Sequence, residues 1–146
     1  MDNTLRALVD KVLKKETKKF LDEIEGLMNG QGLQKALNAP KGKKPGRSQF
    51  KSLMDVAEKA ACVEELVLFL AYQESKKEGW QNDCGDSTIA KNIKRSLTSI
   101  IKEIYMLIEK ETGLNHINED DERMIKLFIA QKYMGYLYWK ASVVSR

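Results

Sequence analysis

At 146 residues the chain is long enough to bury one hydrophobic core and too short for two. Hydrophobic residues make up 42% and charged residues 32%, with only two prolines, which excludes a disordered or collagen-like chain and favours helices. Lys and Arg exceed Asp and Glu by 25 to 21, a net +4 too mild to identify a nucleic-acid binder by its total, so the placement of charge has to decide.

Asp2 stands where a secretory signal would be basic, and no apolar core follows it, so no signal peptide is expected. Apolar residues at Leu5, Leu8, Val9, Val12, Leu13, Phe20, Leu21, Ile24, Leu27 and Met28 recur in steps of three and four. That spacing predicts one helix with one buried face, started by Asn3 or Thr4 and ended by Asn29 to Gly32. Lys11, Lys15 and Lys18 fall on the other face. A short amphipathic piece, Leu33 to Leu37, follows. Glycine and proline then forbid helix between Asn38 and Arg47, and no apolar side chain is in view to anchor the backbone, so a mobile loop is expected at about 38–47. From Gln31 to Met54 there are six basic residues and no acid, the strongest local charge asymmetry in the chain.

Ser48 is placed to cap a second long helix, which should reach about Lys77 and stop at Gly79. Its stretch from Ala60 to Tyr72 is apolar nearly all round, as expected of a helix at the centre of a bundle or at a subunit contact. The longest unbroken apolar run, Leu66 to Tyr72, is far short of the roughly 20 residues that span a bilayer, so no membrane segment is expected. Gly79 to Asp86 reads as a turn. Ser87 or Thr88 then caps a third long helix carrying Ile89, Ile93, Leu97, Ile100, Ile101, Ile104, Leu107 and Ile108, closed by Thr112 and Gly113. Lys91, Arg95 and Lys102 share its outer face, and Ser87 to Lys102 contains no acid. Asn118 caps the last helix, with Glu119, Asp120, Asp121 and Glu122 placed to interact favourably with its dipole. No alternating strand pattern and no repeat occurs. The predicted architecture is a single all-α domain, residues 1–146, with four long helices and one short one packed as a bundle.

Catalytic chemistry is not in view. The only histidine, His116, lies in an interhelical loop with no cysteine or second histidine near it in sequence. The acids from Glu119 to Glu122 are explained by the helix dipole, and Gly42 and Gly46 lack the strand and the Lys-Ser/Thr ending of a phosphate loop. The two cysteines, Cys62 and Cys84, have no zinc spacing; with Cys62 in an apolar run, a buried free thiol in a reducing cytoplasm is expected. No enzyme, metal or cofactor is therefore expected. Binding chemistry is better supplied. The loop cations Lys41, Lys43, Lys44 and Arg47 and the helix stripe Lys91, Arg95 and Lys102 can neutralise phosphates without reading bases. Tyr133, Tyr136 and Leu137 continue the core stripe of Met124, Ile125, Phe128 and Ile129, whereas Tyr138 and Trp139 point elsewhere on the helix and suit a partner contact.

Two patches carry a family resemblance. The stretch from Leu66 to Glu78, LVLFLAYQESKKE, resembles a helix of the small subunit of type III-A (Csm-type) CRISPR effector complexes, in which an apolar helix ends in an aromatic-Gln pair followed by a basic residue. Tyr72 and Gln73 match the pair, and Lys76 falls where an arginine is usual. The stretch from Leu127 to Ala141, LFIAQKYMGYLYWKA, is similar to that family's closing helix, with Tyr133 and Met134 in register; Gly135 departs from an acid and Tyr136 from a small residue. Together the patches cover about 28 of the 146 residues, and the order of elements agrees equally with the type III-B (Cmr-type) small subunit. The resemblance implies a non-catalytic, cytoplasmic, self-associating subunit. Its partners would be guide RNA, target RNA and the other CRISPR effector subunits, and Lys76 would be an RNA contact. The competing expectation is a helical protein–protein adaptor that binds no RNA.

Overall fold

A computed structural model describes residues 1–113 and 116–144. Helix accounts for 75% of it, so the all-α class stands, but two of the four expected long helices are each broken in two. The first is interrupted at Glu16, giving α1 (Asn3–Lys15) and α2 (Thr17–Glu25). Here the Thr17 hydroxyl donates to the Lys14 carbonyl at 2.8 Å, a local side-chain bond that competes with the helical ladder. Asp2 caps α1, accepting from the Leu5 N–H at 2.8 Å, in place of Asn3 or Thr4. Beyond α2 a single π turn, Gly26–Gly30, widens the helix and buries both Leu27 and Met28. α3 (Leu33–Leu37) then follows as expected.

The second expected helix becomes α4 (Arg47–Lys59) and α5 (Val63–Ser75), parted at extended Ala60 and Cys62. Gly46 rather than Ser48 occupies the cap position of α4, its N–H donating to Gln49 Oε1 at 2.9 Å. The carbonyls at the break do not go unmet. The Arg123 guanidinium donates to Ala61 O at 2.6 Å and the Gln131 amide to Ala57 O at 3.1 Å. Both donors come from the last helix, so the break is set by tertiary partners. Cys62 is half-buried at this break and Cys84 is the buried thiol; both are free.

After α5 the chain reverses through Lys77 and Gly79, both at positive φ, and buries Trp80 against Phe50 with ring centroids 5.2 Å apart. A two-residue antiparallel pair then forms where only a turn was expected, β1 (Asp83–Cys84) with β2 (Ser87–Thr88), Cys84 opposite Ser87. α6 (Ile89–Glu111) starts at Thr88, whose hydroxyl accepts from the Lys91 N–H at 3.2 Å. α7 (Glu119–Val144) starts at Asn118, which accepts from the Asp121 N–H at 2.8 Å. The two run antiparallel, since Tyr105 meets Glu122 and Ser96 meets Tyr133.

These two are the central helices. α6 packs on α1, α2, α5 and α7, and α7 packs on α2, α3, α4, α5 and α6. Of the two places expected for the apolar stretch of α5, the centre of the bundle or a subunit contact, the structure excludes the centre. Only Leu66 and Leu70 of α5 are buried, while Leu68 is 70% and Tyr72 55% exposed. Among the described residues no helix is long and apolar enough to cross a membrane.

Candidate nucleic-acid interface

α6 is amphipathic because its isoleucines recur every three or four residues and face α7, which turns the intervening lysines outward. At 100° per residue, Lys91, Arg95 and Lys102 fall within about 40° of one another, and about 16 Å of helix separates the first from the last. All three are exposed. That length matches about five phosphates of one strand of a duplex. Lys94, one turn from Lys91 and also exposed, belongs to the same surface. Sequence reading passed over it, although its spacing from Lys91 was enough to include it.

Folding brings two of the other expected cations, Lys43 and Lys76, toward the N-terminal end of α6. The Glu74 carboxylate accepts from Thr88 Oγ1, which ties the end of α5 to the start of α6. The α5/α6 seam is lined by Val67, Leu70, Ala71, Glu74, Ala90, Lys91 and Lys94. Lys76, at the end of α5, lies over the exposed Tyr72 ring, its Nζ 5.3 Å from the centroid. Lys43 reaches Glu78 at 2.9 Å, and the Lys43 hydrogen bond and charge, with Lys76 adding to them, hold the Glu78 carboxyl below the usual carboxylate range. Lys43 and Lys76, distant in sequence, therefore flank one carboxylate. Arg95 reaches Asp86 of the hairpin at 3.5 Å.

The loop itself is better anchored than the sequence suggested. Pro45 is buried, and the Asn82 amide donates to Lys43 O at 2.7 Å. Gly79 passes so close that a Cβ there would lie 2.8 Å from Lys43 O. The claim that nothing apolar holds this backbone is thus corrected by Pro45. Lys44 is half-buried with its ammonium donating to Ala39 O, so its charge serves the loop rather than an outside ligand. Lys41 and Arg47 are exposed and make no ion pair among the described residues. Cations from three segments meet the carboxylates Glu74, Glu78 and Asp86 around the start of α6, whereas Glu119 to Glu122 open α7 at the opposite end.

Of the expected partner contacts, Trp139 is 65% exposed and meets Tyr136 edge to face, with centroids 5.8 Å apart. Tyr138 is half-buried against the core, so it offers less surface than the helix position promised. Tyr133 is fully buried, as the core reading expected, and donates to Ser96 Oγ at 2.7 Å. His116 is exposed, and no group of three or more His, Cys, Asp or Glu is arranged to hold a metal ion among the described residues.

The chain matches no protein-family profile, and no curated protein or solved structure is measurably similar to it. Exposed lysines and an arginine on a rigid helix, with Tyr72 and Lys76 beside them, can bind a phosphate backbone and offer a stacking face to an unpaired base.

Proposed function

We propose that this chain is the non-catalytic small subunit of a type III CRISPR ribonucleoprotein, contributing to assembly and holding guide and target RNA by their backbones without reading sequence. The observation that carries the RNA half of this reading is the convergence of Lys43, Lys76, Lys91, Lys94 and Arg95 from three separate segments around one end of α6, continued along that helix by Lys102. Phosphate neutralisation needs such a track, on which Lys43 and Arg95 would exchange their exposed carboxylate partners, Glu78 and Asp86, for phosphate. The CRISPR half rests on the Tyr72-Gln73 pair with Lys76 and on the closing-helix resemblance. Cleavage would belong to other subunits.

The exposed Leu68, Tyr72 and Trp139 favour a second reading, a helical adaptor that binds protein alone. Tagged purification from the native host, with sequencing of bound RNA and identification of companion proteins, separates the two. Repeat-derived guide RNAs accompanied by large backbone subunits are the expected result. A defined protein partner without RNA would refute the leading reading and leave the adaptor.

A further inference from the structure

With the centre of the bundle excluded, the outer face of α5 is left without cover. Glu65, Leu68, Tyr72 and Ser75 follow one another in steps of three, four and three, the spacing of a seam that packs on another helix. At 100° per residue they fall within about 80° of one another, opposite the buried Leu66 and Leu70. All four are exposed, and the middle of the stripe is apolar: Leu68 is 70% and Tyr72 55% exposed, with exposed Ala71 beside them.

The two ends of the stripe carry opposite charge. Glu64 and Glu65 open α5, and Lys76 follows its last turn. None of the three is in an ion pair among the described residues. Charges of opposite sign near them are engaged elsewhere. Lys126 pairs with Glu122 at 2.9 Å, the Arg123 guanidinium donates to Ala61 O at 2.6 Å, and Glu78, which also feels the Lys76 charge, pairs with Lys43 at 2.9 Å.

We propose that this face docks on the same face of a second copy of the chain, with the two α5 helices antiparallel about a two-fold axis. In a parallel pair Glu65 would meet Glu65. In an antiparallel pair centred on position 70, Leu68 meets Tyr72 of the second copy. Glu65 then comes to within about 1.5 Å, one residue, of level with the Lys76 of that copy, on the same side of the seam. The two-fold axis makes each of these contacts twice and closes the pair, so no filament grows from it. Any other partner would need an apolar stripe running from a base to an acid, and this chain already carries one. The face is about 20 Å long, and pairing it covers on the order of 400 Å² per copy, half of what a stable complex covers, which suits a reversible dimer with a Kd of about 10–100 µM. The pairing does not rest on RNA binding; where both occur, RNA and the second copy compete for Tyr72 and Lys76.

The test is analytical ultracentrifugation of the full chain from about 5 to about 500 µM, over which mass action should carry the 16.7 kDa monomer to a dimer. Leu68→Glu, at an exposed position, should keep the melting curve seen by circular dichroism and leave only monomer. Glu65→Lys and Lys76→Glu should each weaken self-association by about tenfold, because each sets like charges opposite one another at both symmetric contacts. In an equimolar mixture of these two variants, the mixed pair again has unlike charges at both contacts, and it should form as readily as the parent dimer. Monomer alone at every concentration, a dimer that survives Leu68→Glu, or a mixture no stronger than the separate variants would overturn the pairing.

Discussion

Replacing Lys91, Lys94, Arg95 and Lys102 together by alanine tests the RNA surface most directly. All four side chains are exposed, and the one ion pair among them, Arg95 with Asp86 at 3.5 Å, belongs to a class worth about 0–1 kcal/mol. Alanine is a better helix former than lysine or arginine, so α6 loses nothing intrinsically. The melting temperature should therefore move by no more than a few degrees. RNA affinity should behave quite differently. Counting Lys41, Lys43, Arg47 and Lys76 with these four as phosphate contacts, and about 0.7 released counterions per contact for a single strand, log K should fall against log salt with a slope of about −6. The variant should retain a slope of about −3. Between 50 and 200 mM salt, the parent should then lose affinity by about two-thousandfold and the variant by about fiftyfold. Fluorescence anisotropy of a labelled, unstructured RNA across that range reads both slopes. Equal slopes for the two proteins would refute the reasoning, because the stripe would then carry no phosphate.

Three further outcomes are expected. Gly79→Ala should destabilise the fold by about 1–3 kcal/mol, seen as a lower urea midpoint, because the φ of 116° suits only glycine and the new Cβ would press on Lys43 O and Lys44 Cα. Burial pushes the Tyr133 phenol well above its ordinary value, with the Ser96 hydrogen bond opposing it and Glu23 adding to the rise, and burial likewise pushes Tyr105 to about 12. The unfolded phenol ionises near pH 10 while folded Tyr133 keeps its proton, so the unfolded state binds fewer protons there and stability falls as pH rises above about 10. Tyr133→Phe should make that alkaline fall in urea-derived stability shallower by about 1.4 kcal/mol per pH unit, and an unchanged slope would contradict the burial argument. Leu68→Ser should change stability by about 0.5 kcal/mol or less and Trp139→Ser by about 1 kcal/mol through its lost edge-to-face contact with Tyr136, and together they should leave the RNA salt slope unaltered. If these changes instead abolish capture of a companion protein, that apolar surface is the adaptor's contact.

The hydrophobic period of the sequence determined that this chain is helical and which faces of α1, α6 and α7 are inside, because a three-to-four-residue spacing admits no other regular backbone. It also determined the starts of α6 and α7, since Thr88 and Asn118 act on amides three residues away and need no distant partner. The stripe Lys91, Arg95 and Lys102 was legible for the same local reason. The break between α4 and α5 was not, because the groups that receive its free carbonyls, Arg123 and Gln131, lie more than sixty residues on. Nor could composition tell that α5 is peripheral: an apolar helix is central only if enough neighbours cover it, and here α6 and α7 take that place. The same holds for the site. Which lysines stay free, as Lys41 does, and which are occupied, as Lys44 is by Ala39, depends on where the loop lands against Gly79 and Asn82. The meeting of Lys43 and Lys76 at Glu78, and of Ser96 with Glu23 across α2 and α6, are likewise products of packing, which joins residues that no periodicity relates.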